Sequence, residues 1–184
     1  MLTVNFSPFP VLETERLLLR GTTPENVDAL YALRANGDVM RYIDRPRPKS
    51  NDDILALIEK IQNIVASNNG IEWGLTLKET GKYIGTISFH QLIKENYRAE
   101  IGYLLDPAQH GKGIMDEAMK AVLDYGFNIM QLHSVEANVN PENMASRKLL
   151  ERNGFAQEAY FKENHFWNGQ FFDTVIYSLL APAR

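Results

Sequence analysis

The feature that most constrains this chain is a glycine-bearing turn between a strand-like and a helix-like segment. Residues 99–105 are apolar in strand fashion, residues 113–130 have helical periodicity, and Gly111 and Gly113 lie between them. Glycine has no Cβ, so the backbone can turn sharply and approach a ligand closely. The first amides of the helix lack intrahelical acceptors, and the helix dipole adds positive potential there. The pattern predicts an anion site, although two glycines alone are equally compatible with an ordinary tight turn.

The composition limits the chemistry and the partners. A chain of 184 residues, 45% hydrophobic and 23% charged, is typical of one globular domain, which we expect to span residues 1–184. The net charge of −4 argues against a general nucleic-acid binder. The absence of cysteine excludes disulfides and thiolate nucleophiles, and the four histidines lack metal-ligand spacing, so no metal is expected. With no signal peptide and no long apolar run, we expect no membrane association and a cytoplasmic location.

The order of the periodic segments indicates an α+β (mixed α/β) fold. Alternation predicts about seven strands, near residues 16–20, 71–77, 83–89, 97–105, 134–139, 155–161 and 171–179. About four helices are expected to begin near residues 23, 50, 113 and 140. The strands before residue 97 suit antiparallel hairpins, whereas residues 97–139 read as strand, helix and strand, which is a right-handed parallel crossover. We therefore expect a twisted, mixed sheet.

Polar residues follow the second strand of this crossover. Ligands of open α/β sheets bind beyond the carboxyl ends of parallel strands, so residues 138–143 should lie on the side of the glycine turn. Asn143 and Ser146 are three apart and therefore neighbours on one helix face. Spacing alone favours a local capping role for Asn143 and a plain surface hydroxyl for Ser146.

Four motifs in sequence resemble the GNAT acetyltransferase superfamily, and within it the branch of the ribosomal-protein N-terminal (serine/alanine) acetyltransferases. The resemblance covers essentially the whole chain. The motifs are Thr14-Glu15-Arg16-Leu17-Leu18-Leu19-Arg20, Gln109-His110-Gly111-Lys112-Gly113-Ile114-Met115, Asn143-x-x-Ser146-x-Lys148-Leu149-Leu150-Glu151-x-x-Gly154-Phe155 and Trp167-x-Gly169-x-x-x-Asp173-x-x-x-Tyr177-Ser178.

The resemblance implies a GNAT-like fold that binds acetyl-CoA. A parallel strand pair splays at the cofactor site, and the pantetheine arm lies along the freed edge at Leu104 and Leu105. The loop between the first two helices helps shape the acceptor pocket, while Asn138, Asn143 and Ser146 face the cofactor. The pyrophosphate is held by the backbone of His110, Gly111, Lys112, Gly113, Ile114 and Met115.

The resemblance also implies direct transfer of the acetyl group to a primary amine, without a protein nucleophile. Ser146 is then the first candidate for protonating the departing thiolate, and Tyr160 is the second. Glu100 is the first candidate for the general base and His165 the second, although Glu100 also suits a cross-strand partner of Arg or Lys.

The acceptor stays open at this point. It is the N-terminus of a ribosomal or other protein, or a small amine such as a polyamine, an amino sugar or an amino acid. A non-catalytic CoA-binding module is a further alternative, and the chain is a monomer or a homodimer. Aromatic residues near the last turn either wall the acceptor pocket or pack the closing hairpin; they are Phe161, Phe166, Trp167, Phe171 and Phe172.

Overall fold

The periodic segments build one mixed sheet that has helices on both faces. The computed structural model describes residues 1–182, and its eight strands are ordered β1-β2-β3-β4-β5-β6-β8-β7. In chain order the elements are β1 Leu12–Glu13, β2 Leu17–Arg20, α1 Val27–Ala35, α2 Asn51–Ala66, β3 Ile71–Leu77, β4 Tyr83–Ile93, β5 Arg98–Leu105, α3 Ile114–Asp124, β6 Ser134–Val139, α4 Met144–Arg152, β7 Ala156–Trp167 and β8 Gln170–Leu180. The predicted α+β class and mixed sheet are confirmed.

The structure differs from the predictions at several elements: β4 and β7 extend further, to Ile93 and Trp167, one strand is additional and one helix begins later. The eighth strand is β1, which is only two residues long and therefore too short to give an alternating pattern; it pairs with β2. Helix α4 begins at Met144 instead of near residue 140. The Asn140 side chain accepts a bond from the amide of Glu142 (2.9 Å) and forms a separate turn, and Asn143 caps the helix.

The sheet buries apolar side chains on both faces. Alternate residues of β3, among them Ile71, Trp73 and Leu75, face the core that α3 and α4 cover. On the other face, α1 and α2 pack over Tyr83 and Leu104. Although α2 has 16 residues, no helix within residues 1–182 is both long and apolar enough to cross a bilayer.

The parallel pair β5–β6 separates partway along its length. The pairing joins Arg98 to Ser134, Ala99 to Val135 and Glu100 to Glu136, and it ends there. Beyond this point β5 continues to pair with β4, and β6 pairs with β8. The edge of β5 that faces β6 is therefore free of strand partners over residues 101–105, which confirms the predicted splay.

The outer edge of the sheet is the long hairpin β7–β8. The side chains of Phe161, Phe166 and Phe171 are exposed there, with the last two at 59% and 62%. The rings of Phe166 and Phe171 lie 4.9 Å apart across the two strands. These aromatics therefore pack within the hairpin and do not belong to the core.

Candidate active site

A cavity of about 570 Å³ lies where the carboxyl end of β5, the turn before α3, the start of α4 and the α1–α2 loop meet. Its lining combines a backbone-rich turn with apolar and hydroxyl side chains. The lining residues are Asp38, Val39, Tyr42, Ile43, Tyr103, Leu104, Leu105, Gln109, His110, Gly111, Gly113, Ile114, Met115, Asp116, Asn143, Ala145, Ser146, Leu149 and Arg152. Most of the residues that the sequence analysis assigned to the cofactor thus share one cavity.

The turn before α3 presents a row of free backbone amides. Gly111 and Gly113 both have φ of +73°, which an L side chain rarely adopts. The first helical hydrogen bond runs from the amide of Glu117 to the carbonyl of Gly113 (3.1 Å). Within the described chain, the amides of residues 111–116 have no protein acceptor. This arrangement suits a phosphate or another anion.

Ser146 is fixed by contacts to two other lining residues. Its amide donates to Oδ1 of Asn143 (3.1 Å), so Asn143 is the N-cap of α4. Its hydroxyl lies 2.6 Å from the hydroxyl of Tyr103 on β5. Burial raises the pKa of Tyr103 to about 12, against the smaller opposing effect of the Ser146 bond. Tyr103 therefore stays protonated at neutral pH and holds the Ser146 hydroxyl at the cavity wall.

Glu100 lies at the point where β5 and β6 separate. Its side chain is 12% exposed, and its Oε1 lies 3.4 Å from Nε2 of His90. Burial raises the pKa of Glu100, but hydrogen bonds from His90 and Asn138 and the charges of His90 and Arg45 outweigh it, so the net pKa is lowered. Glu100 is consequently ionised at neutral pH, and Asn138 contacts it from β6.

Five predicted residues lie outside the cavity lining: Glu100 and Asn138, described above, and His165, Tyr160 and Lys112. His165 Nε2 is 3.1 Å from Oδ2 of Asp44, which ties the β7–β8 hairpin to the α1–α2 loop. The exposed Tyr160 donates to Oδ2 of Asp173 (2.5 Å) on the same hairpin. The Lys112 ammonium donates to Oε1 of Gln109 (3.4 Å), so only the backbone of Lys112 belongs to the turn.

Several residues of the site were missed by the sequence analysis. His90 is one of the four histidines without metal-ligand spacing, and the β4–β5 register places it opposite Glu100. Gly102 makes room for it, since a Cβ there would lie 2.8 Å from Cε1 of His90. The alternating pattern of β5 could have predicted which face of the strand Tyr103 occupies. No periodic pattern predicts that four residues of the α1–α2 loop line the cavity; they are Asp38, Val39, Tyr42 and Ile43. Within residues 1–182, no three His, Asp or Glu side chains are grouped to hold a metal ion.

Comparison with known proteins agrees with this geometry. The Acetyltransferase (GNAT) domain matches residues 16–156. The uncharacterized N-acetyltransferase YoaA of Bacillus subtilis (strain 168) is 35% identical over 174 residues, 95% of this chain and 98% of that protein. The ribosomal-protein-serine acetyltransferase of Escherichia coli (strain K12) is 26% identical over 174 residues, covering 93% and 96%.

A solved structure shows the same fold. The ribosomal L7/L12 α-N-protein acetyltransferase RimL, in complex with coenzyme A, superimposes with a TM-score of 0.87 at 21% identity, over 95% of this chain and 100% of that one. The domain match covers more than half of the chain, and the similarity to YoaA extends over nearly its whole length. The chain therefore belongs to the GNAT acetyltransferase family and is an acetyl-CoA-dependent N-acetyltransferase.

Proposed function

We propose that this protein acetylates the N-terminal amine of a protein, with ribosomal proteins as the first candidates. The observation that carries the proposal is the single cavity that joins the free amides of residues 111–116 to the α1–α2 loop. Similarity to a ribosomal-protein-serine acetyltransferase over 93% of the chain supports this class of acceptor. We further propose a cytoplasmic location, where acetyl-CoA and new ribosomal proteins are both available.

The residues present fit acetyl-CoA, which supplies an activated acetyl thioester when bound. The amides of the glycine turn are free to hold the pyrophosphate, and the positive end of the α3 dipole favours it. The free edge of β5 offers backbone groups to the pantetheine arm, as a sheet edge does to an added strand. In this proposal a backbone amide of β5 near Leu104, on the edge that faces β6, polarises the thioester carbonyl, and Asn143 and Ser146 lie at the sulfur end.

Two proton transfers complete the proposal. Ser146 donates a proton to the departing sulfur and regains one from the nitrogen that has attacked, because its hydroxyl is at the cavity wall and is held by Tyr103. Tyr160 is the weaker candidate, because it is exposed and already bonded to Asp173. Glu100 takes the proton of the amine, directly or through water, because it is ionised and lies at the splay. His165 is the second candidate, at the α1–α2 loop beside Asp44.

An acceptor screen tests the proposed substrate class. Peptides that begin with Ser or Ala, matched peptides with a blocked N-terminus, and small amines are incubated with acetyl-CoA and the protein. We expect a mass increase on the free N-termini together with release of free thiol. Thiol release with polyamines, amino sugars or amino acids alone would replace the proposed acceptor by a small molecule. Analytical ultracentrifugation of the same preparation decides between a monomer and a homodimer.

A further inference from the structure

Arg16 joins the turn between β1 and β2 to the proposed pyrophosphate turn. Its Nε donates to Oε2 of Glu117 (2.6 Å) and its Nη1 donates to the carbonyl of Lys112 (2.9 Å). Its backbone amide donates to Oε1 of Glu117 (2.9 Å). Arg16 therefore bonds both the turn before α3, at the Lys112 carbonyl, and the first turn of α3, at Glu117.

The turn that carries Arg16 is itself fixed. Thr14 donates from Oγ1 to Oε1 of Glu117 (2.5 Å), and the same hydroxyl accepts from the amide of Leu17 (3.0 Å). The carbonyl of Arg16 accepts from the amide of Lys78 next to β3 (2.9 Å). The backbone of Arg16 is thus hydrogen-bonded to the sheet through its carbonyl and to α3 through its amide, which fixes the position from which the guanidinium extends.

The contact with Lys112 sets the direction of one cofactor amide. In a trans peptide the C=O and N–H groups point in opposite directions. Because Nη1 of Arg16 holds the Lys112 carbonyl, the amide of Gly113 points away from Arg16. Gly113 lines the cavity, and its φ is +73°. The arginine therefore holds this peptide in the orientation that offers its N–H to a ligand.

The contact with Glu117 removes an adverse charge. The first turn of α3 carries two carboxylates, Asp116 and Glu117, next to amides that are to bind an anion. Asp116 is bonded by Lys120 (2.8 Å) and Asn153 (2.9 Å). Glu117 is bonded by Arg16 and Thr14. Each carboxylate thus has a cationic partner, so the local field still favours an anion.

We propose that Arg16 is a positioning residue for acetyl-CoA: it orients the Lys112–Gly113 peptide and neutralises Glu117, so that the turn amides bind the pyrophosphate. The inference rests on the proposed use of this turn for acetyl-CoA. It gives the Thr14-x-Arg16 motif a role in binding without direct contact with the substrate. If the inference is correct, replacing Arg16 weakens the binding of only that part of the ligand which carries phosphate.

The test compares two ligands on Arg16→Ala by calorimetry. Coenzyme A contains the pyrophosphate, whereas pantetheine lacks it and still reaches the β5 edge. We expect the Kd for coenzyme A to rise at least about tenfold, or about 1.4 kcal/mol, with the Kd for pantetheine nearly unchanged. Arg20→Ala is the matched control, because Arg20 lies on β2 and bonds Gly21 and Asn26, away from the turn. It should leave both affinities at the parent values.

Unchanged coenzyme A affinity in a folded Arg16→Ala variant, or an equal loss for both ligands, would overturn the inference. If Arg16→Ala does not fold, Arg16→Lys answers the same question, since lysine keeps the charge beside Glu117 but lacks the guanidinium fork. We expect it to weaken coenzyme A binding and spare pantetheine, and parent affinity for both ligands would count against the inference. Failure of the parent protein to bind coenzyme A at all would instead reject the proposed site itself.

Discussion

At the scale of single residues, the proposed acid and the proposed base lie on opposite faces of strand β5. Ser146 and Tyr103 lie on the side of α4, within the cavity lining. Glu100 and His90 meet on the opposite face of β5, because side chains alternate along a strand. Strand β5, along which the thioester would lie, therefore separates Ser146, the proposed proton donor, from Glu100, the proposed proton acceptor.

The first prediction concerns Ser146. Replacing it by alanine removes the hydroxyl that Tyr103 holds, while the Asn143 cap can still accept from the backbone amide. We expect kcat to fall at least about tenfold, a barrier increase of about 1.4 kcal/mol, with coenzyme A affinity nearly unchanged. Steady-state kinetics and calorimetry measure the two effects. Ser67→Ala at the end of α2 is the control. If kcat holds and only binding weakens, Ser146 is a binding contact alone.

The second prediction separates the two candidate bases by pH. The pKa of Glu100 is below its ordinary value of 4.5, so this carboxylate accepts protons across the neutral range. Glu100→Gln should therefore lower kcat/KM at every pH above about 4.5 without moving the limb that the amine contributes near pH 8. If His165 is the base instead, His165→Gln should lower kcat/KM and remove the acidic limb of the parent profile, and Glu100→Gln should leave that limb in place. Parent rates and profiles in both variants would exclude both residues.

At the scale of elements, two glycines allow the effect of positive φ on stability to be measured separately from its effect on ligand binding. Gly111 has φ of +73°, and a Cβ there would meet nothing within 4 Å. Gly81, in the turn between β3 and β4, has φ of +68° and equally open space. The two positions place similar demands on the backbone, but only Gly111 lines the cavity.

The third prediction uses this pair. Gly111→Ala and Gly81→Ala should each destabilise the fold by about 1 kcal/mol, because both put a side chain at positive φ. Only Gly111→Ala should also raise the Kd for coenzyme A, by at least about tenfold, and Gly111→Val should raise it further. Chemical unfolding and calorimetry give the two quantities. Equal coenzyme A affinity in the two alanine variants would show that the turn does not hold the pyrophosphate.

At the scale of the whole molecule, two side chains with buried polar atoms, Glu72 and Arg34, affect stability. Oε1 of Glu72 on β3 and Nε of Arg34 on α1 are buried, and neither has a hydrogen-bond partner within residues 1–182. Burial raises the pKa of Glu72 above its ordinary value of 4.5, against the charges of Arg34 and His90. As the pH rises above 4.5, the unfolded chain releases this proton before the folded chain does. Glu72 therefore makes the fold less stable at neutral pH than at acid pH.

The fourth prediction follows from this sign. Glu72→Gln should raise the free energy of unfolding at about pH 7, and the gain should shrink towards about pH 4, where both states are protonated. Urea unfolding at the two pH values measures the difference. Glu59→Gln, on the exposed face of α2, should show no such dependence. A loss of stability at neutral pH would mean that the attraction between Arg34 and the Glu72 carboxylate outweighs the cost of burying that carboxylate.

The fold class and the glycine turn could be predicted from the sequence because both depend on local order. Alternation of β3 and β5 specifies which side chains face the core, and this requires only neighbouring residues. Glycine permits the positive φ that Gly111 and Gly113 adopt, so the residue type allows a sharp turn there. The extra strand β1 and the start of α4 were not predicted, because two residues carry no period and Asn140 and Asn143 are both good caps. That residues 1–184 form one domain stays a prediction.

What the sequence by itself determined is the presence of the glycine turn between a strand and a helix, together with the family that its motifs resemble. Only the tertiary structure decided which side chains support that turn. Arg16 and Lys112 are 96 positions apart, and Tyr103 and Ser146 are 43 apart. His90 meets Glu100 through strand register, and the α1–α2 loop reaches the cavity without any periodic pattern. Such contacts depend on how distant segments pack, and local propensity does not encode that.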